Sequence, residues 1–569
     1  MIRLRLLAPA LLLLPAVAQA QRQAAGAPSG AAAGNPLKHA PRPTTPDITA
    51  ADLMTRLYIF ADDSMLGRQA GTENNLKGTA YIAGELRRLG LTPAGDSGTF
   101  FQNVPLVRRG FAESATIAVG GDSLRMRTDF VPATRRGTPR SLAGAQVVFG
   151  GTWGDSAGSL TREQMAGRLV LFVPAKGAGP QVAASRVRGD TPLGAAAGFA
   201  VVGLESLAPA SRAAFGQPTL GMSSASAAPT TAVPLGLVVT RRAAELLLGK
   251  PLDSARVGDA GRTVTGTPGV VESVAPARNV VAVLRGSDPK LRGEYVAIGA
   301  HNDHIGFNHA PVDHDSLKAY NAAAWEMAGK YAGLPPLTAA QRASIVVSMD
   351  SLHRLGPARR DSISNGADDD GSGTVAVLEI AEALSSAKQK PRRSVLFVWH
   401  TGEELGLLGS RWFTDHPTVP RDSIVAQINI DMIGRGDAAD TRGGGPDYLG
   451  LVGARRLSTE LGDIVEATNR AQPRPLAFDY ALDANGHPEN IYCRSDHYNY
   501  ARYGIPIVFF FTGLHGDYHQ VTDEPQYIDY PHMTRITRFI GDLTTRVANL
   551  DRRPVVDHEK PDPNGVCRQ

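Results

Sequence analysis

Cysteine is nearly absent: the 569-residue chain has only Cys493 and Cys567. That excludes a thiolate-rich zinc site, so any metal must be held by His, Asp and Glu. The two cysteines lie far apart in sequence, and their number alone does not establish a bridge. Long Lys/Arg runs are also missing, which excludes the usual electrostatic footprint of a nucleic-acid partner. Beyond the N-terminus no apolar run is long enough to cross a bilayer.

The N-terminus itself has the order of a secretory signal. Arg3 and Arg5 precede an apolar stretch from Leu6 to Val17, and Ala18-Gln19-Ala20 forms an A-x-A cleavage site. The apolar stretch is short for a membrane span and contains Pro9 and Pro15. We therefore expect residues 1–20 to be removed, with export to the periplasm or the medium and no stable membrane insertion. Removal takes two arginines from the formal charge of +4 and leaves +2.

With 43% hydrophobic and 20% charged residues, the chain can bury a large core but is too long for one ordinary domain. Residues 21–46, rich in Ala, Gly and Pro, read as a disordered leader. The segment 47–119 reads as the N-terminal part of a catalytic domain, with helices beginning near Asp47 and spanning Asn74 to Leu89. Between 120 and 275, short β-like runs at 145–149, 168–173, 198–204 and 235–239 alternate with Gly/Ser/Pro loops, which predicts a small β-rich insert. Over 276–550, strand-like and helix-like segments alternate. That pattern predicts an α/β fold with a mostly parallel central sheet flanked by helices. Residues 308–362 interrupt it with a polar, partly helical insertion, and 551–569 form a C-terminal tail.

Ligands of open α/β sheets gather at the carboxyl ends of strands. Tyr295–Ala300 runs into His301-Asn302-Asp303, and Val395–Trp399 runs into His400-Thr401-Gly402-Glu403-Glu404. Val425–Ile430 ends at Asp431, Ile505–Phe511 leads to Tyr518-His519, and Asp368-Asp369-Asp370 precedes a helix starting near Ser372. Each cluster taken singly has a plain structural explanation. An acidic triplet commonly caps a helix, a Glu pair commonly opens one, and a lone histidine is commonly a loop residue. Five such clusters at successive strand ends are not explained that way.

Six blocks carry a family resemblance: Gly299-Ala300-His301-Asn302-Asp303-His304, Gly366 to Gly373, Gly402-Glu403-Glu404-Leu405-Gly406, Asn429 to Gly434, Ser495-Asp496-His497-Tyr498 and Asp517-Tyr518-His519. Together they resemble the secreted di-zinc aminopeptidases, whose relatives include glutamate carboxypeptidase, the transferrin receptor ectodomain and glutaminyl cyclase. The 120–275 segment resembles the protease-associated domain inserted in many of them. The resemblance implies two zinc ions bridged by Asp369, one taking His301 and Asp431 and the other Glu404 and His519. It makes Asp368 and Asp370 non-ligands, Asp303 the hydrogen-bond partner of the His301 imidazole, and Glu403 the general base. Tyr518 would donate to the developing oxyanion. Such a pair of ions can share and acidify a water and polarise the scissile carbonyl. Peptide substrates follow, cleaved at their N-terminal residue. The acids around the site suit a substrate ammonium, whereas a carboxypeptidase should gather arginines.

Three other readings compete. Gly154-Asp155-Ser156-Ala157-Gly158 matches the G-x-S-x-G of serine hydrolases, but in a Gly/Ser-rich loop rather than a strand-turn-helix elbow. A carboxypeptidase or glutaminyl cyclase would reuse the same scaffold. A receptor-like binding protein should lack ligands or the base, and all six positions are filled here.

Overall fold

The computed structural model describes residues 35–569 except 134–138, 156–159, 178, 181–190, 216, 224–231, 265–267, 331–336 and 355–356. The expected signal peptide and Ser156 of the rival motif lie outside the described residues. The chain divides into two compact units. Among the described residues, one comprises those within 35–69, 77–101 and 280–569, and the other those within 70–76 and 102–279.

The larger unit is built on a nine-stranded sheet. Along its main path run β1 (Thr92–Pro93), β2 (Arg278–Leu284), β4 (Ser394–His400), β3 (Tyr295–His301), β5 (Ile424–Ile430), β8 (Ile507–Phe511), β6 (Tyr448–Val452) and β7 (Ala477–Asp479), in that spatial order. The central four, β4-β3-β5-β8, are mutually parallel, so their carboxyl ends share one edge.

These strands read as continuous apolar runs because both faces are covered. Successive side chains point to opposite faces. Val296, Ile298, Val395, Phe397 and Trp399 enter one core with helices α1 (Ala50–Phe60), α2 (Glu73–Arg88), α4 (Gly373–Ser386) and α7 (Tyr530–Ala548). Ala297, Leu396 and Val398 enter a second core with α5 (Leu408–Asp415). On α7, Met533, Ile536, Phe539, Ile540, Leu543 and Val547 follow helical spacing and are fully buried. Each such side chain stabilises the fold by about 1.5–3 kcal/mol.

The 308–362 insertion starts within a two-stranded hairpin of Gly306–Asp313 and Arg360–Ser364 and carries helix α3 (His314–Met327). The C-terminal tail is pinned by a Cys493–Cys567 disulfide, and the Gln569 side chain accepts from Tyr492 N at 2.8 Å.

The smaller unit contains a six-stranded sheet in which Gln146–Thr152, Leu169–Val173, Gly198–Val202 and Leu235–Val239 are parallel neighbours. It is wider than the 120–275 expected from sequence. Leu106–Phe111 pairs with both Val270–Val274 and Thr219–Met222, which places 102–119 here rather than in the catalytic unit. A second correction concerns 35–46, expected to be disordered. Asn35 Nδ2 donates to Ile528 O at 2.8 Å and Thr44 Oγ1 to Glu382 Oε2 at 2.7 Å, so hydrogen bonds tie this segment to the larger unit.

Candidate metal centre

The parallel strands deliver their C-terminal residues to one edge. His301 ends β3, Asp431 follows β5, and the turn after β4 carries Glu403 and Glu404. Asp369 comes from the turn ahead of α4, and His519 from the loop after β8.

That edge is fixed by acids that face the main chain. Asp370 accepts from His301 N at 3.0 Å, Gly373 N at 2.9 Å and Met432 N at 3.3 Å. Asp368 accepts from Gly434 N at 2.6 Å, and Asp523 from Asp368 N at 3.0 Å and Asp369 N at 3.1 Å. Two neighbours of Asp369 are therefore consumed in stitching strand ends together, which leaves Asp369 to face the cavity. Gly366 permits the turn: it has φ of 55°, and a Cβ there would lie 2.2 Å from Asp369 O and 2.5 Å from His304 Cγ. Buried Arg68 closes the turn from behind, donating to Asn365 O at 2.6 Å and Gly366 O at 2.9 Å.

Two groups result, each with its ligand-type atoms within 4.8 Å of one another: His301, Asp369 and Asp431, and His304, Asp369, Glu404 and His519. Asp369 belongs to both. His301 Nε2 lies 3.1 Å from Asp369 Oδ1 and 3.7 Å from Asp431 Oδ1. His519 Nε2 lies 3.1 Å from Asp369 Oδ2 and 3.0 Å from Glu404 Oε2. All five residues read as ligands from sequence are thus brought together. His304 joins the second group although the ligand pattern in the sequence does not include it; its sequence signal is a third chemistry-bearing residue in the block Gly299–His304.

Three further residues complete the site. Asp303 differs in detail from expectation: His301 Nδ1 meets its main-chain carbonyl at 3.0 Å, while its carboxylate is 3.8 Å away and accepts from Glu403 N at 3.2 Å. The carbonyl holds the ring because Asp303 lies only two residues on, where its backbone reaches Nδ1 before its side chain can. Ser495 Oγ donates to Asp431 Oδ2 at 2.9 Å and in turn accepts from Asn429 Nδ2 at 3.0 Å. Tyr518 stacks on His519 with ring centroids 3.8 Å apart and lines a cavity with His301, Asp369, Glu403 and Asp431. Met432, Ile491, Phe509, Phe511 and Leu514 supply its apolar wall.

The electrostatics are those of a cation trap. Burial, reinforced by Glu404, Asp431 and Asp496 and opposed by His301, holds the Glu403 carboxyl well above the usual range. Burial also raises Asp431. Asp369 goes the other way, because the imidazoles of His301 and His519 outweigh its burial. Burial lowers His519, but Asp369 and Glu404 overcome it and raise the ring to about 10. Buried atoms without a hydrogen bond include Asp369 Oδ2, Glu404 Oε1, Asp431 Oδ1, both nitrogens of His304 and Nε2 of His519. Unsatisfied buried polar atoms are rare and each needs a reason. Here they face one another, in the N/O donor set that zinc accepts.

A third His/acid group, His314, Asp361 and Glu524, is different. Its imidazole is engaged on both sides, by Asp361 Oδ2 at 2.9 Å and Tyr527 Oη at 3.2 Å.

Residues 279–544 match the model of Peptidase family M28. The M28 match covers the strands and loops that assemble both ligand groups and leaves out most of the smaller unit. Leupeptin-inactivating enzyme 1 of Streptomyces exfoliatus is 30% identical over 169 residues, 29% of this chain and 33% of that protein. Leucine aminopeptidase 1 of Coccidioides posadasii (strain C735) is 32% identical over 184 residues, 30% of this chain and 44% of that one. The chain thus spans a third to under half of the length of these relatives. Among solved structures, an aminopeptidase from Aneurinibacillus sp. strain AM-1 is 16% identical with a TM-score of 0.46, covering 90% of this chain and 97% of that one. A zinc aminopeptidase from Bacillus subtilis is 14% identical with a TM-score of 0.44, covering 89% and 96%.

Proposed function

We propose that this chain is an exported two-zinc exopeptidase that removes unblocked N-terminal residues from peptides. One observation carries the reading: two buried groups of His and carboxylate ligands share Asp369, and Glu403 stands beside them without belonging to either. His301, Asp369 and Asp431 would hold one ion, and Asp369, Glu404 and His519 the other. When bound, the ions supply positive charge, acidify water and polarise the scissile carbonyl.

The rest is done by the protein. Glu403 accepts the proton of the attacking water on its carboxylate and passes it to the leaving amine. Asp303 steadies the base through the Glu403 main-chain N–H and the His301 ring through its own carbonyl. The Tyr518 hydroxyl donates to the oxygen that gains charge.

The direction of attack follows from the cations nearby. Arg494, which lines the cavity, pairs with Glu489 at 2.6 Å, and buried Arg435 pairs with Asp517 at 3.0 Å, so each cation is already matched by an acid of the chain. The surrounding acids favour an ammonium. The β-rich unit is assigned as a protease-associated insert, and the N-terminal signal order supports export. A disulfide between the two cysteines fits an oxidising compartment. Among the described residues no helix is long and apolar enough to cross a membrane.

The test is a matched pair of peptides, one with a free amine and one N-acetylated, with and without a chelator. Cleavage of the free peptide alone, abolished by the chelator, is expected. Equal rates on both peptides refute the aminopeptidase reading, and chelator-insensitive turnover refutes the metal.

A further inference from the structure

The geometry points to His304 as a fourth protein ligand at the position that Asp369, Glu404 and His519 would hold. This rests on the two-zinc reading above.

His304 is 1% exposed. Its Nδ1 lies 2.9 Å from Glu404 Oε1 and 3.7 Å from Asp369 Oδ2, yet neither ring nitrogen makes a hydrogen bond. Close approach without hydrogen-bond alignment means that the nitrogen and the oxygens converge on a common point instead of pointing at one another. A histidine retained for packing would satisfy at least one nitrogen.

The spacing fits an ion. Zinc bonds of roughly 2.0–2.1 Å in a tetrahedron put neighbouring ligand atoms roughly 3.3–3.4 Å apart. The separations between the imidazole nitrogens and carboxylate oxygens in this group are 2.9, 3.0, 3.1 and 3.7 Å. The His304 backbone is fixed by a bridge to Gln69 and by its N–H to Arg68 O at 3.3 Å. Gly366 packs against the ring so closely that a Cβ would meet Cγ at 2.5 Å. The imidazole is held where it is.

The two positions then differ in donor number: the His301 group offers three donors and lines the cavity together with Glu403 and Tyr518.

Zinc titration of the apoprotein decides it, with His304→Ala, His304→Asp and Glu403→Gln beside the unmodified chain. The unmodified chain and Glu403→Gln should bind two ions. His304→Ala should lose more than about 100-fold in affinity for one ion only, beyond the 10–100-fold typical of a group that merely supports a ligand. His304→Asp, which can still donate an oxygen, should recover most of it. Each variant is compared with its own apo form, and the rise in melting temperature on adding zinc should be smaller for His304→Ala than for the unmodified chain. A His304→Ala protein that binds both ions as tightly as the unmodified chain overturns the assignment, as does an apo form that melts early while its metal affinity is kept. Absence of two ions from the unmodified chain defeats instead the reading on which it rests.

Discussion

Two buried clusters in the larger unit use the same residue types to opposite ends. Behind the sheet, Arg56 is 1% exposed and contacts Glu85 at 2.6 Å, Glu379 and Glu382, while Arg88 reaches Glu85 at 2.8 Å and Glu382 at 3.1 Å. Three carboxylates are met by two guanidiniums, and a bridge forms between α1, α2 and α4. At the sheet edge, Asp369, Glu403, Glu404 and Asp431 crowd together with imidazoles, and the Arg494 guanidinium that lines their cavity pairs with Glu489. In the first cluster every carboxylate meets a guanidinium of the chain, and the second is left to be matched from outside. Buried acids are thus structural where the chain's own cations or main-chain N–H groups occupy them, and the acids with unpaired oxygens facing one another mark the metal centre.

The strongest way to break the comparison is Glu403→Gln. It removes a proton carrier and no ligand, so kcat should fall by roughly 10²–10⁴-fold, the usual worth of general-base catalysis. Zinc content and thermal stability should stay unchanged. Retained turnover would place the base elsewhere.

Arg56→Met makes the complementary cut. Breaking a buried ion pair by removing one partner costs about 3–5 kcal/mol, because uncompensated charge is left behind. Denaturant unfolding should show that loss, while kcat per folded molecule and zinc stoichiometry persist. If activity falls as steeply as stability, the two clusters are not separate in function.

The sequence and the structure agree most where local pattern decides position. Apolar runs ending in His301, Asp431 and Glu403-Glu404 marked the carboxyl edge of a parallel sheet because such strands are buried on both faces. The register that singled out Asp369 has a physical basis in the main-chain bonds that occupy Asp368 and Asp370. Long-range pairing was not legible. Lys318 of the insertion forms an ion pair with Asp517, 199 residues away, and nothing local to either residue announces it. The Cys493–Cys567 bridge is of the same kind. Sequence also missed His304, because a histidine beside recognised ligands has no periodicity to betray it.

Lys318 sharpens the comparison at an intermediate scale. It shares Asp517 with Arg435, next to Tyr518 and His519, and Thr522 Oγ1 donates to Asp517 Oδ1 at 2.7 Å. Lys318→Ala leaves Arg435 on the carboxylate, so we expect a milder loss of about 1–3 kcal/mol, as for one buried charged hydrogen-bond partner. It should be accompanied by lower kcat at nearly unchanged KM. An unaltered kcat would detach the insertion from the catalytic loop.

The last effect is read as a pH slope and concerns Glu524, an acid that belongs to neither cluster. Asn365 Nδ2 donates to its Oε1 at 3.1 Å and to Asp63 Oδ1 at 2.8 Å, and Asp361 stands nearby with His314 on its far oxygen at 2.9 Å. Burial first, then Asp361 and Asp63, push Glu524 up to about 8. The folded chain therefore favours its neutral form more than the unfolded chain does. The associated stability is fully present below the ordinary value near 4.5 and is lost as pH rises through the folded value near 8. Melting temperature should accordingly decline from pH 5 to pH 8, with a slope from this group of at most about 1.4 kcal/mol per pH unit. Glu524→Gln keeps the neutral shape at every pH and should flatten that part of the profile without touching zinc stoichiometry. An identical slope in the variant would mean that Glu524 is ionised throughout the range and that its neighbours do not hold its proton.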